Sequence, residues 1–365
     1  MQRILAALLV LALAACEWPH GVAGPEDGPS ITRFGAPDAV VPPGGSIQAA
    51  LDAAGPGAVI HLSPGVYAEE VTITHPGVKL VGRTDPEGNE AIIENPGGVR
   101  NGISVRANDF ALVDVTVRNF DGNGVLLIDV DGFLLSRVTA RDNGAYGLFP
   151  VRSRNGVIEH SIASGHGDAG LYVGQSQGVV MRRNVVHGNV VGIEASNSSD
   201  IKLLANEAYD NTNGILVVLL PGRQITTASD ILVAGNRAYD NNRPNFADPG
   251  DLVAVLPPGT GILLVGADRV TAEGNVVTGN VFIGLGVGST NVLAALSGAP
   301  GQPFPDIEPD PDLVQVRDNI VTGNGSFSPV PFLPPADLLW DGSGTQNCWS
   351  GNTFGTSVPA MLPAC

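Results

Sequence analysis

Apolar and polar residues alternate along most of this chain in short runs, and one run in each repeat opens on a glycine. Gly102-Ile-Ser-Val, Gly124-Val-Leu-Leu, Gly147-Leu-Phe-Pro, Gly170-Leu-Tyr-Val and Gly192-Ile-Glu-Ala stand 22 or 23 residues apart. The rhythm returns at Gly214, Gly261 and Gly284. After each glycine the first and third residues are mostly apolar, as in Ile103/Val105 and Leu171/Val173. A period of two sends those side chains to one face of a strand and their neighbours to the other. A second alternation, Ile201-Lys-Leu203, and a third, shorter one, Asn184-Val-Val, complete each repeat. Three strands per turn with no helical stretch between them predict an all-β right-handed parallel β-helix of about 10–12 coils. Leucine-rich repeats share the period but need leucines at several fixed positions, which are missing.

Two asparagine columns run in step with the glycines. One is Asn184, Asn206, Asn236, Asn275 and Asn319; the other is Asn189, Asn211, Asn241, Asn280 and Asn324. Successive coils lie about 4.8 Å apart, so a repeated amide can bond its counterpart above and below. The columns are therefore expected to be internal ladders and not ligand sites.

The flanks break the period. Residues 46–54 form the one good helical stretch, with Ser46 as N-cap. Irregular coils at 58–62, 71–74, 78–81 and 91–94 follow it. Insertions at 219–229, 242–260 and 291–312 leave one side of the coil near the glycine strands. The residues they would cover, Leu216, Val218, Leu263 and Val265, are apolar where earlier coils are polar, so the insertions read as lids. The expected organisation is a leader at 1–15, a tether at 16–36, a cap with first coils at 37–97, regular coils at 98–347 and a tail at 348–365.

Composition adds location. Arg3 and the apolar run Ile4–Ala14 make a leader too short for a lasting membrane span. It ends in Leu13-Ala14-Ala15-Cys16, which resembles a bacterial lipobox and implies a lipid on Cys16. Glu17 after the cysteine resembles sorting to the outer membrane of the cell envelope. Cys348 and Cys365 remain, and in an oxidising compartment they most simply pair. A formal charge of −17 makes nucleic acid an unsuitable partner. No cofactor is implied, except that Asp306, Glu308, Asp310 and Asp312 alternate as calcium ligands do; proline spacing in an acidic surface loop explains them equally.

Chemistry is expected on the outward positions of the glycine strands. Ser104, Arg106, Phe149, Tyr172, Glu194 and Ser196 fall there, with Tyr146, Arg152, Asp168, Gln175 and Asn197 beside them and His166 in the turn before Gly170. Nine of the nineteen basic residues, all arginine, lie from Arg100 to Arg183, which on an acidic chain hints at an anionic ligand. Tyr146, Arg152, His166 and Asp168 are the candidate catalytic residues. Phe149, Tyr172, Gln175, Glu194 and Asn197 are the candidate ligand-binding ones.

The helix at 46–54 followed by Gly57-Ala-Val-Ile-His-Leu and Pro64-Gly-Val-Tyr67 resembles the start of the pectate-lyase-like β-helices, in which a short helix plugs the first coil. Tyr146-Gly-Leu-Phe-Pro-Val151 resembles the catalytic strand of mannuronan epimerases, Tyr-Gly-Phe-Asp-Pro-His. Phe149 and Val151 stand where that family has its aspartate and histidine, so only Tyr146 carries over. Gly167-Asp-Ala-Gly-Leu-Tyr-Val-Gly-Gln-Ser176 resembles segments of β-helix repeat lipoproteins, and the chain is generally similar to a periplasmic β-helix protein that assists nitrous oxide reductase maturation. Three functions follow as expectations: binding of an elongated acidic polysaccharide, lyase, epimerase or hydrolase action on a polyuronide, or an accessory role to a periplasmic redox or metalloprotein partner.

Overall fold

A computed structural model describes residues 34–298 and 304–365. The chain winds into a right-handed parallel β-helix with three sheets running along its length: among the described residues, one of 12 strands and two of 11. Every strand pair recorded is parallel, and each joins a strand to the equivalent one a coil later. The glycine strands form one 11-stranded sheet, in which Leu148 pairs Leu171, Leu171 pairs Ile193, and Ile193 pairs Ile215. These inward residues are completely or almost completely buried. Each full burial of a Leu or Ile stabilises by roughly 1.5–3 kcal/mol, so the interior stack is the main source of stability.

The glycine and asparagine columns turn out to be one device. A Cβ placed on Gly170 would meet the Asn189 amide nitrogen at 2.8 Å and the Gly192 carbonyl oxygen at 2.9 Å. Gly214 and Gly261 meet Asn241 and Asn280 in the same way. These glycines are required for close approach, because the ladder amide occupies the space a side chain would need. Both ladders form. Asn184, Asn206, Asn236, Asn275 and Asn319 each donate an amide hydrogen to the next member's Oδ1 or, at the end, to Asn352. The second ladder runs from Asn189 to Asn324 and ends on the carboxylate of Asp337.

His166 occupies a rung of that second ladder. It is fully buried inside the coil, with Nδ1 3.1 Å from the Asn143 carbonyl oxygen and Nε2 3.2 Å from that of Ala140. A neutral ring can donate to only one of these acceptors, and burial lowers its pKa to about 4. His166→Asn is therefore expected to complete the ladder and stabilise by about 1 kcal/mol at neutral pH. The advantage should grow on acidification. With a folded pKa of about 4 against an ordinary 6.5, the wild type is most stable above 6.5 and loses stability as pH falls toward 4, because only the unfolded chain gains the proton. Urea titrations of both proteins at neutral and mildly acidic pH check this; a destabilised variant would refute the rung assignment.

Both ends are closed as the sequence suggests. Helix α1, Ile47–Ala54, buries Ile47 and Leu51, and Ser46 Oγ accepts from the Ala49 N–H. Glu69 takes the Ile47 N–H and the Ser46 hydroxyl, fastening the plug to the first coils. At the other end Cys348 and Cys365 form a disulfide that ties the tail to the last coil. Closing that 17-residue separation contributes about 3 kcal/mol in the chain-entropy account. Cys16 and the leader lie outside the described residues. Among the described residues no helix is long and apolar enough to cross a membrane.

Candidate functional site

The insertions do lie over the glycine-strand face, although Leu263, expected beneath them, is only half-buried. Residues 219–229 form a strap, 242–260 a loop with a 3-10 turn at Leu252–Val255, and 291–296 a short helix, α2. All three lie over the outward face of the glycine strands from Tyr172 onward. Under them Leu216, Val218 and Val265 are buried, together with Leu220, Val253, Leu256 and Leu293 from the lids themselves.

At the upstream edge of this roof is a small cleft. Tyr146, Asp168, Tyr172 and Glu194 line one side, and Leu220, Arg223, Leu252, Val253, Leu256 and Leu293 the other. Three aromatic rings wall it. Tyr146 stacks on Phe149 with centroids 4.1 Å apart, and Tyr172 sets its edge against both, at 5.1 and 4.8 Å. Register explains the grouping, since Tyr172 pairs directly with Glu194 one coil on. Asp168 enters from the turn just before the strand Ala169–Gly174.

Electrostatics mark the cleft more sharply than shape does. Burial pushes the Asp168 carboxyl up to about 6, while a hydrogen bond from the Tyr146 hydroxyl pulls it partly back. Burial, then the neighbouring Asp168, holds Glu194 well above the carboxylate range. Asp168 Oδ1 and Glu194 Oε2 are both buried without a hydrogen-bond partner. Burial likewise raises both tyrosines. Arg223, exposed on the strap, is the cation whose field reaches Asp168, Glu194 and Tyr172. Perturbed carboxyls grouped in a cleft are the usual signature of proton chemistry or of anion capture.

The structure thus brings Tyr146, Asp168, Tyr172, Glu194 and Phe149 together. It places the others elsewhere. Arg152 lies in the turn after its strand and clasps Asp129 through Nε at 2.7 Å and a second nitrogen at 3.0 Å. His166 points into the coil interior, as described. Gln175 and Asn197, both at positive φ (51° and 48°), hold the strap: Gln175 Oε1 accepts from the Gln224 N–H, and Asn197 bonds Leu220 and Ile225. Ser196 lies buried against Asn197. The arginine concentration is largely an ion-pair column, because Arg118, Arg137, Arg152, Arg154 and Arg182 each pair an acid one coil earlier. Arg223 escaped the sequence reading because its insertion leaves the period; it is the only basic residue between Lys202 and Arg237.

Among the described residues no three acidic, histidine or cysteine side chains converge to hold a metal. The carboxylates from Asp306 to Asp312 take separate partners: Asp306 the Gly222 N–H, Glu308 the Asp310 N–H, Asp312 the Thr345 hydroxyl.

Comparison with known proteins gives the fold context. The family described as the right handed beta helix region matches residues 101–220. No curated protein matches. Among solved structures, the A-module of the mannuronan C-5 epimerase AlgE6 from Azotobacter vinelandii is similar with a TM-score of 0.62 and 20% identity, over 85% of this chain and 83% of that one. The AlgE4 A-module from the same organism gives 0.61 and 21%, over 84% and 82%. A point mutant of the periplasmic alginate epimerase AlgG gives 0.51 and 15%, over 82% and 73%. At such identities the likeness is one of fold. The chain is a right-handed parallel β-helix.

Proposed function

We propose that this protein acts on an acidic polysaccharide, with a uronate unit held at the Tyr146–Asp168–Glu194 cleft. The observation that carries this reading is the pair of buried carboxyls, each with an oxygen lacking a partner, converging with a tyrosine hydroxyl and an arginine. Removing the proton beside a sugar carboxylate needs a base, a proton donor and neutralisation of the carboxylate. Asp168 is the base, ionised above about pH 6. Glu194, kept protonated, donates to the sugar carboxylate, and Arg223 supplies the positive charge. In the step, the C–H bond breaks, Asp168 takes the proton, and the electron pair moves into the carboxylate. Tyr146 can then deliver a proton to the carbon, or to the glycosidic oxygen as the electron pair returns to form a C=C bond and the neighbouring C–O bond breaks. The first outcome is epimerisation and the second is elimination. The polysaccharide-acting names of the structural neighbours AlgE4, AlgE6 and AlgG support the substrate class. Attachment to the envelope through a lipid on Cys16 belongs to the same proposal and is supported by Leu13-Ala14-Ala15-Cys16.

A second reading, retention of the polymer without turnover, is favoured by the narrowness of the cleft. Its free volume is about 40 Å³, space for roughly three water molecules. Solvent deuterium exchange separates the two. Mannuronan and polygalacturonate incubated in heavy water are expected either to gain deuterium beside the carboxylate, as epimerisation requires, or to yield products with a new ultraviolet-absorbing C=C bond, as elimination requires. Glu194→Gln, which keeps a donor, should retain binding. Binding with neither exchange nor unsaturated product would leave retention alone, and no binding, exchange or unsaturated product with any polyuronide would sink the acidic-polysaccharide reading.

A further inference from the structure

The cleft stands at one end of a longer face, and its position constrains how a polymer reaches it. We infer that it receives the terminus of an acidic polysaccharide chain and not an internal stretch, an inference that rests on the function proposed above. Along one outward column, Leu126 and Phe149 are half-buried and open to solvent. One coil on, Tyr172 is only 7% exposed, and Glu194 and Leu216 are 4% exposed. The surface therefore runs as an open strip up to Phe149 and then passes under a roof.

The roof is tied down by Gln175, as described, and at three further points. Asn197 Nδ2 donates to the strap carbonyls of Leu220 and Ile225 at 2.8 and 2.7 Å. The Thr290 hydroxyl donates to the Leu219 carbonyl, and the Gly222 N–H to Asp306, so the strap is fastened to a second insertion as well. Beneath it the free volume of about 40 Å³ admits a carboxylate and its adjoining carbons. A chain threading through would need a second exit, and the buried Leu216, Val218 and Val265 fill the path that would lead to one.

Charge follows the same axis. Arg100 and Arg106 bracket the strand Asn101–Val105 on the open strip, both exposed and neither in an ion pair among the described residues. Arg223 stands at the closed end. Four coil spacings, about 19 Å, separate the strand of Arg106 from that of Glu194. Cations at both ends of an open strip, on a protein of charge −17, suit an anionic chain lying along the strip with its last unit under the strap.

Stoichiometry tests this directly. The full chain is titrated by calorimetry with mannuronan oligomers and with long mannuronan, counting protein bound per polysaccharide chain. One protein per chain is expected at both lengths, with Arg223→Ala weakening both about tenfold and Arg106→Ala weakening both less. A number bound that rises in proportion to length would overturn terminus recognition while leaving the polysaccharide reading intact. No binding of either probe would remove the ligand class and the inference with it.

Discussion

Asp168→Asn is expected to lower exchange at the uronate carbon by a hundredfold or more, and to make the protein more stable at neutral pH. The rate effect follows from removing the base, since positioned proton transfer contributes about 10²–10⁴-fold. The stability effect follows from linkage. Asp168 has its folded pKa raised to about 6 from an ordinary 3.8. Its stabilising contribution is thus fully present below 3.8 and lost as pH rises through about 6, where the folded protein holds a buried carboxylate. Asparagine is neutral at every pH, so the variant escapes that loss, by on the order of 3 kcal/mol at neutral pH. Thermal unfolding and the exchange assay, run on one preparation, check both signs. A variant that lost activity and stability together would point to a structural carboxyl, and full activity would remove Asp168 from the reaction.

The same arrangement fixes the form of the pH profile. Activity should fall below about pH 6 as Asp168 takes its proton. Tyr146→Phe removes the hydrogen bond that holds this carboxyl down, so the residual acid limb should move to higher pH. Phe149 and Tyr172 leave the packing of the site intact in that variant, because ring contact does not depend on the hydroxyl.

The fold was legible because its signal repeats. Gly147, Gly170 and Gly192 recur for one physical reason, the approach of a ladder side chain from an adjacent coil, and repetition makes even a weak per-residue signal readable. The site is unrepeated, and it was only half legible. Tyr146, Tyr172 and Glu194 could be placed on one face because strand register follows the period. Arg223 could not, since an insertion that departs from the period has no register to reason from. Polar residues beside the face were misleading for the opposite reason. Gln175 and Asn197 look like ligand contacts in the sequence, yet they hold the strap, while Arg152 answers an acid 23 positions earlier. That spacing equals the repeat, so the ion-pair column was open to view as a structural feature. His166 sits five residues after Ser161, at the spacing that separates Asn184 from Asn189. Its column position, and not its chemistry, says where it goes.

The largest stability effect is expected inside the first ladder, at Asn206→Leu. The Asn206 side chain is buried and makes four hydrogen bonds. Its Nδ2 donates to the Met181 carbonyl at 2.9 Å and to Asn236 Oδ1 at 3.0 Å. Its Oδ1 accepts the Asn184 backbone N–H and amide hydrogen, both at 3.0 Å. Leucine is of similar size, so the cavity contribution is small and the cost is almost wholly polar. The Asn184 N–H, one Asn184 amide hydrogen and the Met181 carbonyl lose their partner where water cannot replace it. At about 1–3 kcal/mol for each buried group left unsatisfied, the loss is on the order of 4 kcal/mol. That is a large part of the 5–15 kcal/mol typical of folded domains. Exposed ion pairs set the contrast: Arg154→Ala, on the surface, should change stability by less than about 1 kcal/mol although it also breaks an inter-coil contact. Because each coil touches only its neighbours, the damage should begin locally. Hydrogen exchange in Asn206→Leu is expected to quicken first in the strand of its own coil and that of the coil before, Ser199–Leu204 and Gln177–Arg182, before the terminal coils respond. Uniform protection throughout, with stability within 1 kcal/mol of wild type, would mean that the buried amides contribute little and that the apolar stacks alone hold the coil together.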